Sequence, residues 1–221
     1  MESMSYMTVS RRWASYLRAK TGVSREKEMV LAYAADIIII NLLNLTAILL
    51  IGFLLGILPA TIAILATLFL FRHTAGGAHS DSPWRCACIT ILSTTLMSLG
   101  AILFSKYSKI GLDIFSLIAL LLSFTALVTL APVDNPAAPI VSPVRRKKLK
   151  RYALVVFLLA AAITLILRDS VWELAQVVRA SLALCLLWVS FMLTGPGHRL
   201  LRWIDRTFIL RQGGEKDEGF G

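Results

Sequence analysis

Residues 30–71 read VLAYAADIIIINLLNLTAILLIGFLLGILPATIAILATLFLF, and Asp36 is the one charged side chain in the stretch. A block this apolar spans lipid as helix, the conformation that satisfies every backbone polar group within the segment. At a rise of about 1.5 Å per residue it far exceeds a hydrocarbon core of about 30 Å, so it must fold back. Gly52, Gly56 and Pro59 supply the place, because glycine accepts unusual backbone angles and proline breaks the hydrogen-bond ladder. Two further stretches, 86–105 and 152–167, carry no charged residue. The chain therefore reads as an all-α integral membrane protein. Six spans are expected, at 29–51, 58–72, 84–104, 110–130, 152–167 and 171–194, the second and fifth being short. They form a single membrane-embedded domain over 1–221, with a bundle at 29–194.

The flanks are basic. Residues 1–28 carry Arg11, Arg12, Arg18, Lys20, Arg25 and Lys27, with Trp13, Tyr16 and Leu17 at helical spacing, which predicts an amphipathic helix lying in the membrane interface. The loop holding Arg145, Arg146, Lys147, Lys148, Lys150 and Arg151 and the tail 195–221 are also basic. Positive charge collects on the cytoplasmic side, and an even number of spans separates these segments, so N-terminus, loop 72–85 and C-terminus are all expected there. The net charge of +10 is explained by this distribution, and nucleic acid is not an expected partner. No small-residue cleavage site precedes the first apolar block, which is expected to be retained. The polar end, 213–221, is expected to be disordered. Three cysteines make no disulfide framework and leave at least one free thiol.

Chemistry concentrates between residues 72 and 88. His73 and His79 lie close in sequence to Cys86 and Cys88; Gly76 and Gly77 free the backbone ahead of His79, and Ser82-Pro83 reads as a helix N-cap followed by proline at the first helical position. Cys86 then falls in or just beyond the first turn, where the positive end of the helix favours thiolate. A continuous helix would separate His79 and Cys86 by about 10 Å along its axis. The glycine and proline breaks let His79 fold back to take the thiol proton and return it to a leaving amine.

Arg72-His73-Thr74-Ala75-Gly76-Gly77-Ala78-His79, followed by Cys86, resembles the Arg-x-x-x-Gly-Gly-x-His-x6-Cys signature of the accessory gene regulator B (AgrB) family. The proline-bounded run 132–139 is similar to that family's loop after the fourth span. The resemblance implies a membrane cysteine endopeptidase of bacterial quorum sensing, with His79 and Cys86 as catalytic dyad, an AgrD-like precursor peptide as substrate and a homodimer as assembly. It implies a Cys86 thioester that a side-chain thiol or hydroxyl of the peptide resolves into a thiolactone or lactone. No cofactor is implied.

Other residues carry plainer alternatives beside a functional role. Arg72 either holds a substrate carboxylate or anchors topology. Gly76 and Gly77 allow substrate approach or oxyanion stabilisation. Arg146, Lys147 and Lys148 are candidates to recruit an acidic substrate segment, against a pure topology role. A metal site of His73, His79, Cys86 and Cys88 fits no common zinc spacing, so no metal is expected. Cys88 and Cys185 read as structural. Asp36, Asn41, Asn44 and Asp113 line a cavity or join helices. Asp134 caps a turn or orients His79, with the turn favoured. The competing class is a non-enzymatic membrane peptide exporter or carrier, which would not cut peptides.

Overall fold

A computed structural model describes residues 7–78, 80, 82–106, 108–134 and 140–217, with side chains as far as 207. Its helices are α1 (Thr8–Thr21), α2 (Arg25–Leu54), α3 (Leu58–Thr74), α4 (Pro83–Ser105), α5 (Lys109–Leu130), α6 (Pro143–Ile166), α7 (Ala175–Leu193) and α8 (Gly195–Asp217), with a 3-10 turn at Leu167–Asp169 after α6. The all-α membrane class holds: α2, α4, α5, α6 with its 3-10 extension, and α7 are each long and apolar enough to cross a bilayer. The count of six is not reached by length among the described residues. The sixth candidate, α3, has 17 residues, about 25 Å of helix and short of the hydrocarbon thickness.

The span expected from 171 starts as helix only at Ala175, and three other segments are helical beyond the expected bounds for one reason: hydropathy marks where lipid is, not where helix ends. α2 begins at Arg25, not 29, with Glu26 and Glu28 in its first turn, where acids suit the helix dipole. α6 begins at Pro143, so the basic run 145–151 is not a loop but the first turns of a helix. Lysine and arginine are good helix formers, and nothing stops the helix at the lipid edge. The segment from 195, including residues expected to be disordered, is helical to Asp217.

The chain forms two compact units, residues 1–47 and 48–221. In the first, α1 ends on Gly22 with φ 67°, whose N–H donates to the Arg18 carbonyl, a left-handed cap that glycine adopts without a Cβ penalty. Arg18 then pairs with Glu28 at 2.9 Å. Ala14 is buried, while Trp13 and Tyr16 stand exposed.

In the second unit the expected reversal occurs at Gly56, φ 67°, and Pro59 enters the first turn of α3. Gly52 lies against Thr61, where a Cβ would sit 2.8 Å from the hydroxyl oxygen. α7 is the central helix, packed on α3, α4 and α5. Its apolar stretch is 61% buried, against 17–28% for the other four long helices. Large apolar side chains face outward (Phe69, Leu103, Ile110, Ile166) and small ones inward (Ala101, Ala119, Ala160, Ala180, Ala183). This is the packing of helices in lipid, where close backbone approach and hydroxyl bonds replace the hydrophobic drive. Thr61 donates to Ser98 at 3.1 Å and Ser190 to Ser123 at 2.9 Å, joining α3 to α4 and α7 to α5.

Asp113 joins helices in the same way. It accepts from Arg168 at 3.0 Å and from Arg179 at 2.5 Å, and Arg179 is buried on α7. This cluster sits at the start of α5 and α7, the end of the bundle away from Cys86, so Asp113 is not part of a cavity beside the thiol.

Candidate active site

The ends of α3, α5 and α7 and the starts of α4 and α6 come together on one face. α3 finishes at Thr74, and the chain turns through Gly76 (φ 72°) and Gly77 (φ 130°). Gly76 forms a parallel bridge with Val133, whose N–H donates to the Ala75 carbonyl at 3.0 Å. A Cβ on Gly76 would collide with the Val133 carbonyl oxygen. The Ala78 N–H donates to the Met192 carbonyl at the end of α7, at 3.0 Å. The glycine pair thus lets a polar turn be clamped from two sides.

The first turn of α4 follows the expected pattern with one difference. Ser82 takes the N-cap position and Pro83 is the first helical residue, but the Ser82 side chain makes no capping bond. Its carbonyl accepts from the Cys86 N–H at 3.0 Å. That amide is already committed to the helix, which removes it from the candidate oxyanion donors.

Cys86 is free and half-buried. Cys86 lines an open cavity of about 200 Å³, whose walls include Leu68, Phe69, Ile89, Trp188 and Met192 together with Gly76, Gly77, Ala78 and Ser80. Arg72 also lines it and donates from Nη2 to Cys86 Sγ at 3.6 Å. A cation therefore stands against the sulfur, where the thiolate would carry its charge. Sequence alone puts Arg72 on a substrate carboxylate or at the membrane surface; the contact with the thiol is new. His79 lies outside the described residues. His73, by contrast, bonds through Nδ1 to the Phe69 carbonyl of its own helix at 2.7 Å and is exposed. Cys88 is exposed and absent from the cavity wall, and Cys185 is buried against Ile64. Among the described residues no three His, Cys, Asp or Glu side chains cluster for a metal.

The basic residues at the start of α6 stand at the same end of the bundle but do not line the cavity. Arg146 pairs with Asp134 and donates to the Pro132 carbonyl at 3.4 Å, so it braces the segment that bridges Gly76. Asp134, favoured as a turn cap, is the partner in that brace. Lys147 and Lys148 are exposed, Lys148 lying 5.7 Å from the Tyr152 ring centroid.

One side chain at this face escapes the sequence reading entirely. Asp205 on α8 is buried, accepts from Ser80 Oγ at 2.5 Å and pairs with Arg85 at 3.2 Å. The signal that could have found it is periodic: Gly197, Leu201 and Asp205 fall at every fourth position of a segment that reads as a tail, and all three are buried.

Comparison with known proteins agrees with the motif. The family model described as Accessory gene regulator B matches residues 10–193. AgrB-like protein 2 of Clostridium perfringens is 24% identical over 205 residues, covering 89% of this chain and 95% of the relative. An AgrB-like protein of another C. perfringens strain is 26% identical over 81% of the chain and 87% of the relative. One from Clostridium acetobutylicum reaches 34% over 63% and 64%. No solved structure matches the chain significantly. The signature between Arg72 and Cys86, the helical membrane architecture and a family match running from α1 to the end of α7 establish that the chain belongs to the accessory gene regulator B family.

Proposed function

We propose that this protein is a membrane cysteine endopeptidase that cuts an AgrD-like precursor peptide through a Cys86 thioester. Family membership gives the coarser statement: a multi-pass membrane protein of the accessory gene regulator quorum-sensing system, handling a precursor peptide. The observation that carries the finer one is the position of Cys86, on the wall of an apolar cavity with the Arg72 guanidinium 3.6 Å from its sulfur.

In this reading Cys86 Sγ attacks the scissile carbonyl carbon. The carbon–nitrogen bond breaks, and the thiol proton passes through His79 to the leaving amine. The C-terminal segment departs, and the N-terminal part stays as a thioester. A thiol or hydroxyl within that part attacks the same carbon, the bond to Cys86 breaks, and the attacker's proton returns to the thiol through His79. Transfer of the acyl group keeps the activation that hydrolysis would dissipate. The direct test is to incubate purified protein with a synthetic precursor, quench in acid and look for a hydroxylamine-labile adduct on Cys86 by mass spectrometry. Cleavage with no such adduct, undiminished in Cys86→Ala, would overturn the reading.

The same reading makes the start of α6 a recruitment site for an acidic substrate segment on the cytoplasmic side. Cations at a helix N-terminus oppose the dipole, so the charge of this run, as distinct from its helix propensity, does not stabilise the helix that carries it. Arg146 is paired with Asp134, and of the three candidates Lys147 and Lys148 carry exposed charge outside that pair. Neutralising both to Gln, with Arg146 kept, is expected to raise KM and flatten its salt dependence, with kcat little changed. If KM and its salt response stay at wild-type values with topology intact, the run sets orientation only.

A further inference from the structure

The dyad chemistry makes no use of α8, yet this helix delivers a carboxylate to both ends of the segment that joins the two dyad residues. Gly197 makes the return possible: a Cβ there would run into the Phe191 carbonyl oxygen at the end of α7. One turn on, Leu201 reaches the cavity wall. One turn further, Asp205 Oδ1 accepts from Ser80 Oγ at 2.5 Å and lies 3.2 Å from Arg85 Nε, while the Asp205 carbonyl accepts from Arg85 Nη1 at 3.0 Å. Ser80 follows His79 in the chain and Arg85 precedes Cys86. Ser80 Oγ also accepts from the Ser82 N–H at 3.4 Å, which ties the Ser80 end to the N-cap of α4.

We infer that Asp205 is a positioning residue of this enzyme, holding Ser80, the neighbour of His79 in the chain, beside Arg85, the neighbour of Cys86. The inference rests on the dyad reading. Cys86 rides on α4 and His79 comes directly before Ser80 in the sequence, so a tie on Ser80 and Arg85 acts on the neighbours of both dyad residues. The Ser80 bond to the buried carboxylate is charge-assisted and short, and Arg85 is held beside it by the ion pair and by its bond to the Asp205 carbonyl. A misplacement of about 1 Å between reacting groups can cost about a hundredfold in rate. The plainer reading is that Asp205 only pins α8 to the bundle, which would alter stability and leave the thiol's chemistry alone.

The readout is the alkylation rate of Cys86 by iodoacetamide at neutral pH, measured on the full chain in detergent with Cys88→Ser as background, so that no substrate need be known. His79→Ala is expected to slow alkylation by about tenfold, through loss of the group that takes the thiol proton. Asp205→Ala should slow it by a similar factor, and His79→Ala with Asp205→Ala should be no slower than His79→Ala alone, because Asp205 acts through His79. Asp205→Asn, which keeps an acceptor for Ser80, should recover part of the rate. Trp203→Ala, on the exposed face of α8, should change nothing. Should Asp205→Ala not fold, Ser80→Ala carries the same expectation while leaving the Arg85 pair in place. Reactivity that depends on His79 but not on Asp205 or Ser80 overturns this inference alone. Effects of Asp205 and His79 that multiply also overturn it. Alkylation and cleavage both indifferent to His79→Ala remove the dyad, and the inference with it.

Discussion

Exchanging Cys86 for serine is expected to slow precursor cleavage by roughly 10^4-fold or more, the scale seen when a nucleophile that works as a unit with its base is removed. The substitution replaces one polarisable atom and leaves the span intact, so membrane insertion should be unchanged. The loss has two sources. A serine hydroxyl is a far weaker acid than a thiol and a poorer nucleophile toward the scissile carbonyl. An oxyester formed on the substituted hydroxyl would also surrender its acyl group less readily than a thioester, which slows the cyclisation step. His79→Ala should cost a comparable amount by removing the proton carrier. Cys88→Ser should be mild, since that side chain is exposed and off the cavity wall. Cleavage by Cys86→Ser at near wild-type rate in a purified preparation would end the nucleophile assignment. Cys88→Ser as inactive as Cys86→Ser, together with bound metal, would point to a metal site instead.

The second large effect concerns stability at the other end of the bundle. Asp113→Ala is expected to destabilise the fold by about 3–5 kcal/mol, the cost of leaving one member of a buried ion pair without the other. The stranded group is Arg179, whose side chain is 2% exposed and which, among the described residues, keeps Gln176 at 2.7 Å once Asp113 is gone. Arg168, half exposed, can turn outward. Asp113→Ala combined with Arg179→Met should return most of the loss, because replacing both partners by apolar groups avoids the uncompensated charge. Asp169→Ala, which breaks an exposed pair with Lys109, should be nearly silent. Unfolding in increasing SDS fraction measures all three. An Asp113→Ala protein that unfolds with wild type would show that Arg179 finds water or lipid headgroups without cost.

Which features were legible in advance follows from the range of the forces involved. Apolarity and helical rise are local, so residues 30–71 by themselves dictated membrane helices and a reversal, and Gly56 and Pro59 located it. Backbone chemistry is local too. Ser82-Pro83 announced the start of α4, and the spacing from Arg72 to Cys86 carried the family. Helix ends were less legible at 25, 143 and 195, because charged residues extend a helix past the lipid that hydropathy detects.

By itself, then, the sequence determined the membrane class, the break before α4 and the thiol at its first turn, each a consequence of neighbours in the chain. Only the tertiary structure decided that α7 sits at the centre, that Arg72 faces Cys86, that Val133 closes on Gly76, and that Asp205 reaches back across 125 residues to Ser80. Helices that are apolar on every side carry almost no periodic signal of which face meets which neighbour. That choice rests on small inward residues, a few hydroxyl bonds and single buried charges, whose partners are set by packing rather than by spacing in the chain.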